Sequence, residues 1–438
     1  MERAKLIVKN FGPLKDIEIE VREMVTFIGA QASGKSTLAK LLSIFEDENF
    51  RRDDLITFED ELKKYNIFSY LKKDTFIHYE NETSTNVCLN RFMYENNISH
   101  KAGSINWLNY IKGKEDNVEY ITLLKDYINY DLTYTLIKAE YFRKVLALFS
   151  STNKSKKLVD YLLMSRNKLT KINIDTIFEI SNIDKKAENY ISTYESIVNI
   201  LPEVYAFDSI YIPAERNFLH LIEGNVMGLI KSGVNIPEHI LNIGNEYEKA
   251  IQTIKELPLT IIDKKIKYKR EGKNSYIYHN ENEKVNLLES ASGLQSVIPI
   301  LLLVEYSKTL KEEYNFNFVV EEPELNLYPK AQHELIKYLV KNCLFERKNL
   351  ILTTHSPFVL ASINNLLLAF DKGKTKPIEV NKIIKKESWL NPKNFIAYEL
   401  KNGKAKKIMD DKLGQIKENM IDSVSDAFSD EFDKLLDV

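Results

Sequence analysis

The stretch Gly29-Ala30-Gln31-Ala32-Ser33-Gly34-Lys35-Ser36 constrains this chain more than any other. It fits G-x-x-x-x-G-K-[ST] at every position. Before it, Met24 to Ile28 is a short apolar run that predicts a buried strand. After it, Thr37 to Phe45 is apolar at helical spacing. The motif therefore predicts strand, phosphate-cradling loop and helix, and with them an α/β fold. The glycines let backbone N–H groups turn inward around phosphate oxygens, and the helix N-terminus adds partial positive charge. Lys35 is placed to reach the β- and γ-phosphates of a nucleotide, and the Ser36 hydroxyl to coordinate Mg²⁺. Gly29 through Thr37 are the predicted nucleotide contacts.

The chain has 438 residues, which at roughly 150 residues per domain predicts two or three units. Its 61 basic and 63 acidic residues leave a net charge of −2. No overall field draws such a chain onto nucleic acid, so any such contact must be a local patch. Two cysteines, Cys88 and Cys343, lie far apart and fit no metal or redox spacing. They read as small buried hydrophobes in a reducing compartment, and the expected location is cytoplasmic. No stretch approaches 18 uninterrupted apolar residues, which excludes a membrane helix. The N-terminus lacks the apolar run of a signal peptide.

Four segments follow from the patterning. Residues 1–46 predict strands at 4–9, 14–21 and 24–28, then the phosphate loop and a helix. Residues 47–202 read as a mainly helical insertion, with a hairpin of 75–79 and 86–94 near its start. Its aromatic stripes (Tyr120, Leu124, Tyr127, Tyr130; Tyr141, Val145, Leu148) have the spacing of helix-packing cores. Residues 203–376 return to alternating strands and helices. A strand ending at Pro213 delivers Glu215 and Arg216 at its C-terminal end, where open α/β sheets collect ligands. A hairpin of 261–269 and 275–279 has a basic first strand with Lys264, Lys265, Lys267, Lys269 and Arg270. It reads either as a charge-protected edge strand or as a contact for nucleic acid or a partner. Residues 377–438 predict a small α/β tail ending in an acidic amphipathic helix.

Hydrolysis needs more than a phosphate loop: an acid to hold Mg²⁺, another to orient water, and a polar group at the γ-phosphate. The apolar strand 317–320 ends in Glu321 and Glu322. Strand alternation predicts that the two point differently, one toward the metal and one toward water. A second buried strand ends in Thr353-Thr354-His355-Ser356-Pro357, which places His355 for the γ-phosphate. Ser292 and Gly293 open the helix 293–309, with Ser292 as its predicted cap.

In this order, the phosphate loop, Ser292-Gly293, Phe318-Val319-Val320-Glu321-Glu322-Pro323-Glu324 and Thr353 to Pro357 resemble an ABC-type ATPase head. More narrowly they resemble the RecF/SMC/OLD-like branch, including stand-alone ATPases of bacterial antiphage systems of the Septu and PARIS types. Asn10-Phe11-Gly12-Pro13 and Tyr211-Ile212-Pro213-Ala214-Glu215-Arg216 match its flanking motifs. The resemblance covers about 1–46 and 205–370. It implies a P-loop mixed sheet with N-terminal antiparallel strands, ATP and Mg²⁺ as cofactors, and Mg-dependent ATP hydrolysis. It assigns Lys35 to phosphate binding and catalysis, Ser36 and Glu321 to the metal, Glu322 as catalytic base and His355 as switch histidine. Arg216, Ser292 and Gly293 become further nucleotide contacts, the last two across a dimer. It departs where Glu321 replaces the usual Asp and Ala291 the usual Ser, and no glutamine lies between Gln31 and Gln252.

The resemblance implies at least a homodimer closed around ATP, regulating a separately encoded effector such as a nuclease in antiphage defence. The alternative is a DNA-binding or repair ATPase using ATP as a clamp, with the basic strand 264–270 and the insertion as its contacts. Only about 70 residues follow the His355 helix, too few for an OLD-type nuclease domain, and they carry no Asp-x-Asp motif.

Overall fold

The computed structural model describes residues 4–47, 50, 57–72, 74–81, 85–88, 100–101, 121–122, 125, 128–129, 132, 145–149, 156–168, 171–200, 206–222, 236–310, 314–344 and 349–436. Among the described residues its main sheet has eleven strands. In chain order they are β1 (Ala4–Phe11), β2 (Leu14–Val21), β3 (Met24–Gly29), β4 (Phe76–Asn81), β5 (Thr85–Cys88), β6 (His100–Lys101) and β7 (Ala206–Ile212), then four more from the C-terminal half. Strands β8 (Glu256–Pro258), β9 (Lys267–Glu271), β10 (Asn274–Tyr278) and β11 (Lys284–Asn286) form a separate four-stranded sheet. The main sheet resumes with β12 (Tyr314–Glu321), β13 (Leu350–Thr354), β14 (Phe395–Lys401) and β15 (Lys404–Lys407). Its spatial order is β6-β5-β4-β1-β2-β15-β14-β3-β13-β12-β7.

The two wings differ in kind. From β14 to β7 all neighbours are parallel. Strands β3 and β13 are buried at every position, as parallel strands covered on both faces must be. On the other wing β1 pairs antiparallel with β2 and β4, and β4 with β5. Strand β2 alternates buried Ile17, Ile19 and Val21 with more exposed charged residues, the pattern of a sheet with one wet face. This is the mixed sheet with N-terminal antiparallel strands that the resemblance implies.

Among the described residues, the α-helices of seven residues or more are α1 (Lys35–Glu46), α2 (Phe58–Lys64), α3 (Lys156–Lys168), α4 (Ile174–Ser181), α5 (Ala187–Ile200), α6 (Glu238–Thr253), α7 (Ser292–Thr309), α8 (Pro329–Cys343), α9 (Pro357–Gly373), α10 (Pro377–Ile383) and α11 (Met420–Leu436). Helix α1 lies on the parallel half, and a buried polar cluster fixes its C-terminal end. The Glu46 carboxylate accepts from Tyr79 Oη at 2.6 Å and Asn349 Nδ2 at 3.1 Å, while its carbonyl accepts from Asn317 Nδ2 at 3.0 Å. Residues of the insertion, from Ile128 to Ile197, form a buried cluster of their own. Of its sequence-predicted stripes, Val145 joins that cluster and Leu148 packs on it; Tyr120, Leu124, Tyr127, Tyr130 and Tyr141 lie outside the described residues.

Three expectations change. Strand β9 begins at Lys267, after a turn over 259–266, and is not an edge: β8 flanks it on one side and β10 on the other. Lys267 bonds Glu256 across the β8–β9 pair, so part of the basic charge is spent inside the sheet. Residues 395–407, set apart in the sequence as tail, enter the middle of the main sheet. There β14 runs parallel to β3, from Phe395 beside Met24 to Leu400 beside Gly29. Its burial on both faces explains the short apolar run Phe395-Ile396-Ala397-Tyr398. Finally, the N-cap of α7 is Ala291, with no side-chain cap, and Ser292 is already helical. Cys343 is buried as expected, and among the described residues no helix is long and apolar enough to cross a membrane.

Candidate functional site

Strands β3, β7, β12 and β13 are parallel, so their C-terminal ends share one edge of the sheet. That edge carries the phosphate loop, Pro213 to Arg216, Glu321-Glu322 and His355. The loop 30–34 turns through left-handed Ala32 (φ 60°) and Gly34 (φ 100°) into α1. Gly34 is the N-cap and offers no side chain, so the first N–H groups of α1 have no side-chain acceptor. A Cβ on Gly34 would lie 2.6 Å from Leu14 Cδ2, and one on Gly29 2.7 Å from the Leu400 carbonyl oxygen. The cradle is thus closed from below by β14, a contribution the sequence did not reveal.

The Lys35 ammonium is buried and donates to the carbonyls of Gly29 at 2.8 Å and Ala30 at 2.9 Å. Burial lowers its pKa, while Glu322, Glu321 and Glu324 pull it back up. Three carboxylates and one lysine therefore converge on the loop.

Glu321 ends β12 and is 5% exposed. Burial raises its pKa, against the lowering effect of Ser36 and Tyr211 beside it. Its Oε1 is buried without a hydrogen-bond partner among the described residues. A buried carboxylate oxygen left over beside a serine hydroxyl costs free energy unless a cation or donor completes it. Ser36 and Glu321 are therefore a donor pair that would fit a divalent ion.

Glu322 does point away from Glu321, but not by strand alternation. The strand ends at Glu321, and Glu322 adopts left-handed φ 42°, its N–H bonded to the Thr353 carbonyl at 2.9 Å. For a non-glycine residue this conformation costs roughly 1 kcal/mol or more and persists only when its surroundings enforce it. Its side chain reaches His355, with Oε1 2.7 Å from Nε2. Both side chains are partly exposed.

Glu324 holds the histidine from behind. Its Oε1 accepts from the His355 backbone N–H at 2.8 Å and from Thr354 Oγ1 at 2.7 Å. Burial raises its pKa, and those two donors act the other way. Ser356 caps α9 with its hydroxyl, which also donates to Gln332 Oε1 at 2.5 Å. The Glu-Pro-Glu spacing was visible in the sequence; that its second glutamate serves the strand end at 354–355 was not.

Arg216 is not a nucleotide contact. It is fully buried, and all five guanidinium N–H donors are used. Nε donates to the Ser296 carbonyl, Nη1 to those of Pro213 and Glu321, and Nη2 to Ser296 Oγ and the Glu322 carbonyl, at 2.8–3.2 Å. Burial lowers its pKa to about 10. The residue ties α7 to the backbone of the Glu321-Glu322 turn. Gly293 lies against that turn too: a Cβ there would be 2.6 Å from the Asn326 carbonyl oxygen. Ser292 is exposed at the start of α7 and makes no side-chain hydrogen bond among the described residues.

A family described as AAA ATPase domain matches residues 1–360. No curated protein matches the sequence. Similar solved structures include the SMC head domain from Thermotoga maritima, 9% identical over 93% of this chain and 98% of that one, TM-score 0.35. Another is the Smc head domain with an extended coiled coil bound to the C-terminal domain of ScpA, from Pyrococcus furiosus, 12% identical over 92% and 95%, TM-score 0.34. A third is the recombination mediator protein RecF, 13% identical over 93% and 99%, TM-score 0.27.

Proposed function

We propose, for a chain that belongs to the AAA ATPase domain family, that it binds ATP in the cradle 29–37 and hydrolyses it with the Glu322–His355 pair. The observation that carries this reading is the 2.7 Å contact between His355 Nε2 and Glu322 Oε1, beside the buried lysine of a complete phosphate loop. Lys35 leaves the Gly29 and Ala30 carbonyls for phosphate oxygens, exchanging neutral acceptors for charged ones, a stronger bond. Ser36 and Glu321 hold Mg²⁺, which when bound neutralises charge on the phosphates. Glu322 takes the proton of the attacking water at its carboxylate. His355 donates to Glu322 through Nε2, and its backbone is held by Glu324. The site is composite: Ser292 and Gly293 of a second copy complete it in a two-fold dimer of ABC type. The ATP state then controls a separately encoded effector, in the manner of the stand-alone defence ATPases that the motif order resembles.

Glu322→Gln keeps the size and one acceptor but cannot take the proton. It is expected to bind ATP as the wild type does and to lose roughly 10²–10⁴-fold in turnover. Turnover within threefold of wild type removes Glu322 from the mechanism.

A further inference from the structure

Tyr211 is buried near the C-terminal end of β7, and its hydroxyl has no hydrogen-bond partner among the described residues. A buried phenol normally finds a partner. Packing alone does not call for the hydroxyl, because phenylalanine fills the same space and strands no oxygen. The strand register shows what stands next to it. In the parallel β7–β12 pair Tyr211 lies beside Val319. Side chains two apart along a strand share a face, so Tyr211, Val319 and Glu321 look to the same side of the sheet. That side carries α1: Ser209, two residues before Tyr211, meets Ser43 of α1 at 2.8 Å between hydroxyl oxygens. Ser36, Lys40 and Ser43 follow at steps of four and three, so one stripe of α1 runs from the phosphate loop over these strands. Ser36 and Tyr211 both stand beside Glu321. The tyrosine ring is held in place. Its centroid lies 5.4 Å from that of Tyr65 and 5.8 Å from that of His239, both edge to face. The Lys40 ammonium, which donates to the Tyr65 carbonyl at 3.2 Å, lies 5.9 Å from the same ring.

We propose that Tyr211 is a positioning residue for the metal, its hydroxyl donating to the Glu321 carboxylate when that group holds a divalent ion with Ser36. Two groups left over in one buried place answer each other: the phenol is a donor, and Glu321 Oε1 is an acceptor without a partner among the described residues. A carboxylate has two oxygens. With the phenol on one, the other is aimed at the cation, as the outer partners of metal ligands do elsewhere. The ring contacts supply the rigidity such a role needs. Tyr211 acts through Glu321 and is not itself a catalytic residue. The inference rests on the nucleotide site proposed above and adds to it the residue that orients its metal ligand.

Mn²⁺ binding to the full chain carrying a non-hydrolysable ATP analogue, read from the EPR signal of the free ion, tests it. Tyr211→Phe removes the hydroxyl alone. Its dissociation constant for Mn²⁺ is expected to rise about tenfold or more, the size typical of a lost outer partner. Affinity for the analogue in chelator should match the wild type. The unfolding midpoint of the metal-free protein should hold or rise, because the hydroxyl has no partner there to lose. A tyrosine that serves only the fold would do the reverse, lowering the midpoint and leaving Mn²⁺ binding alone, and that result overturns the proposal. Glu321→Gln separates this inference from the reading it rests on. If Glu321→Gln weakens Mn²⁺ binding while Tyr211→Phe stays within about threefold of wild type, the proposal falls and the nucleotide site stands. If the wild type holds Mn²⁺ no better than the free analogue does, the nucleotide site falls too.

Discussion

Arg216 spends five donors on three segments, and the cost of losing it follows from the acceptors. Arg216→Met would take the guanidinium donors from the carbonyls of Glu321, Ser296 and Glu322, of which that of Glu322 keeps the Leu325 N–H at 3.0 Å. Stranded buried acceptors cost about 1–3 kcal/mol each before relaxation, so a loss of about 2–4 kcal/mol in unfolding free energy is expected by chemical denaturation. Turnover should fall with it, because the left-handed turn that aims Glu322 loses its anchor. An unchanged unfolding midpoint would contradict this. The sequence placed Arg216 correctly at a strand end but assigned it to the nucleotide. Spacing along a chain does not reveal whether an arginine faces solvent or carbonyls 80 and 105 residues away. Lys35 was legible for the opposite reason: loop, lysine and helix are contiguous, and local geometry dictates their relation.

Among the elements, α7 and β14 divide what was legible from what was not. The helix was visible from its apolar run, but its N-terminus owes its position to tertiary contacts. Gly293 touches the Asn326 carbonyl, and Gln295 accepts a hydrogen bond from His220 Nε2 at 2.8 Å. Gly293→Ala is expected to push the start of α7 away from the 322–327 turn, since 2.6 Å is closer than a real Cβ approaches an oxygen. Turnover should drop at least about tenfold while ATP affinity of the single chain holds, because the cradle is untouched. An affinity loss matching the turnover loss would place Gly293 in the cradle instead. Strand β14 was read as tail because its partner β3 lies some 370 residues earlier. Parallel pairing at that separation leaves no local trace, only a short apolar run.

For the molecule as a whole, one buried group sets a pH dependence. His220 is held neutral between Tyr247 Oη, which donates to Nδ1 at 2.8 Å, and the Gln295 carbonyl, which accepts from Nε2–H. Burial lowers its pKa from 6.5 to about 4. The unfolded chain then binds the proton first, so stability falls as pH drops from about 6.5 to about 4, by roughly 3 kcal/mol at most. Glu321 and Glu324, whose pKa burial raises, act in the opposite sense at the acid end. His220→Gln should therefore flatten the midpoint-against-pH curve between 6.5 and 4 relative to wild type; parallel curves would contradict it. The central claim, that loop, carboxylates and histidine form one ATP site, is tested most directly by calorimetric titration of Mg-ATP. The wild type is expected to bind. Lys35→Ala is expected to bind at least about tenfold more weakly, the 1.4 kcal/mol scale of a hydrogen bond to a charged group. Equal affinity in the two proteins would contradict the account.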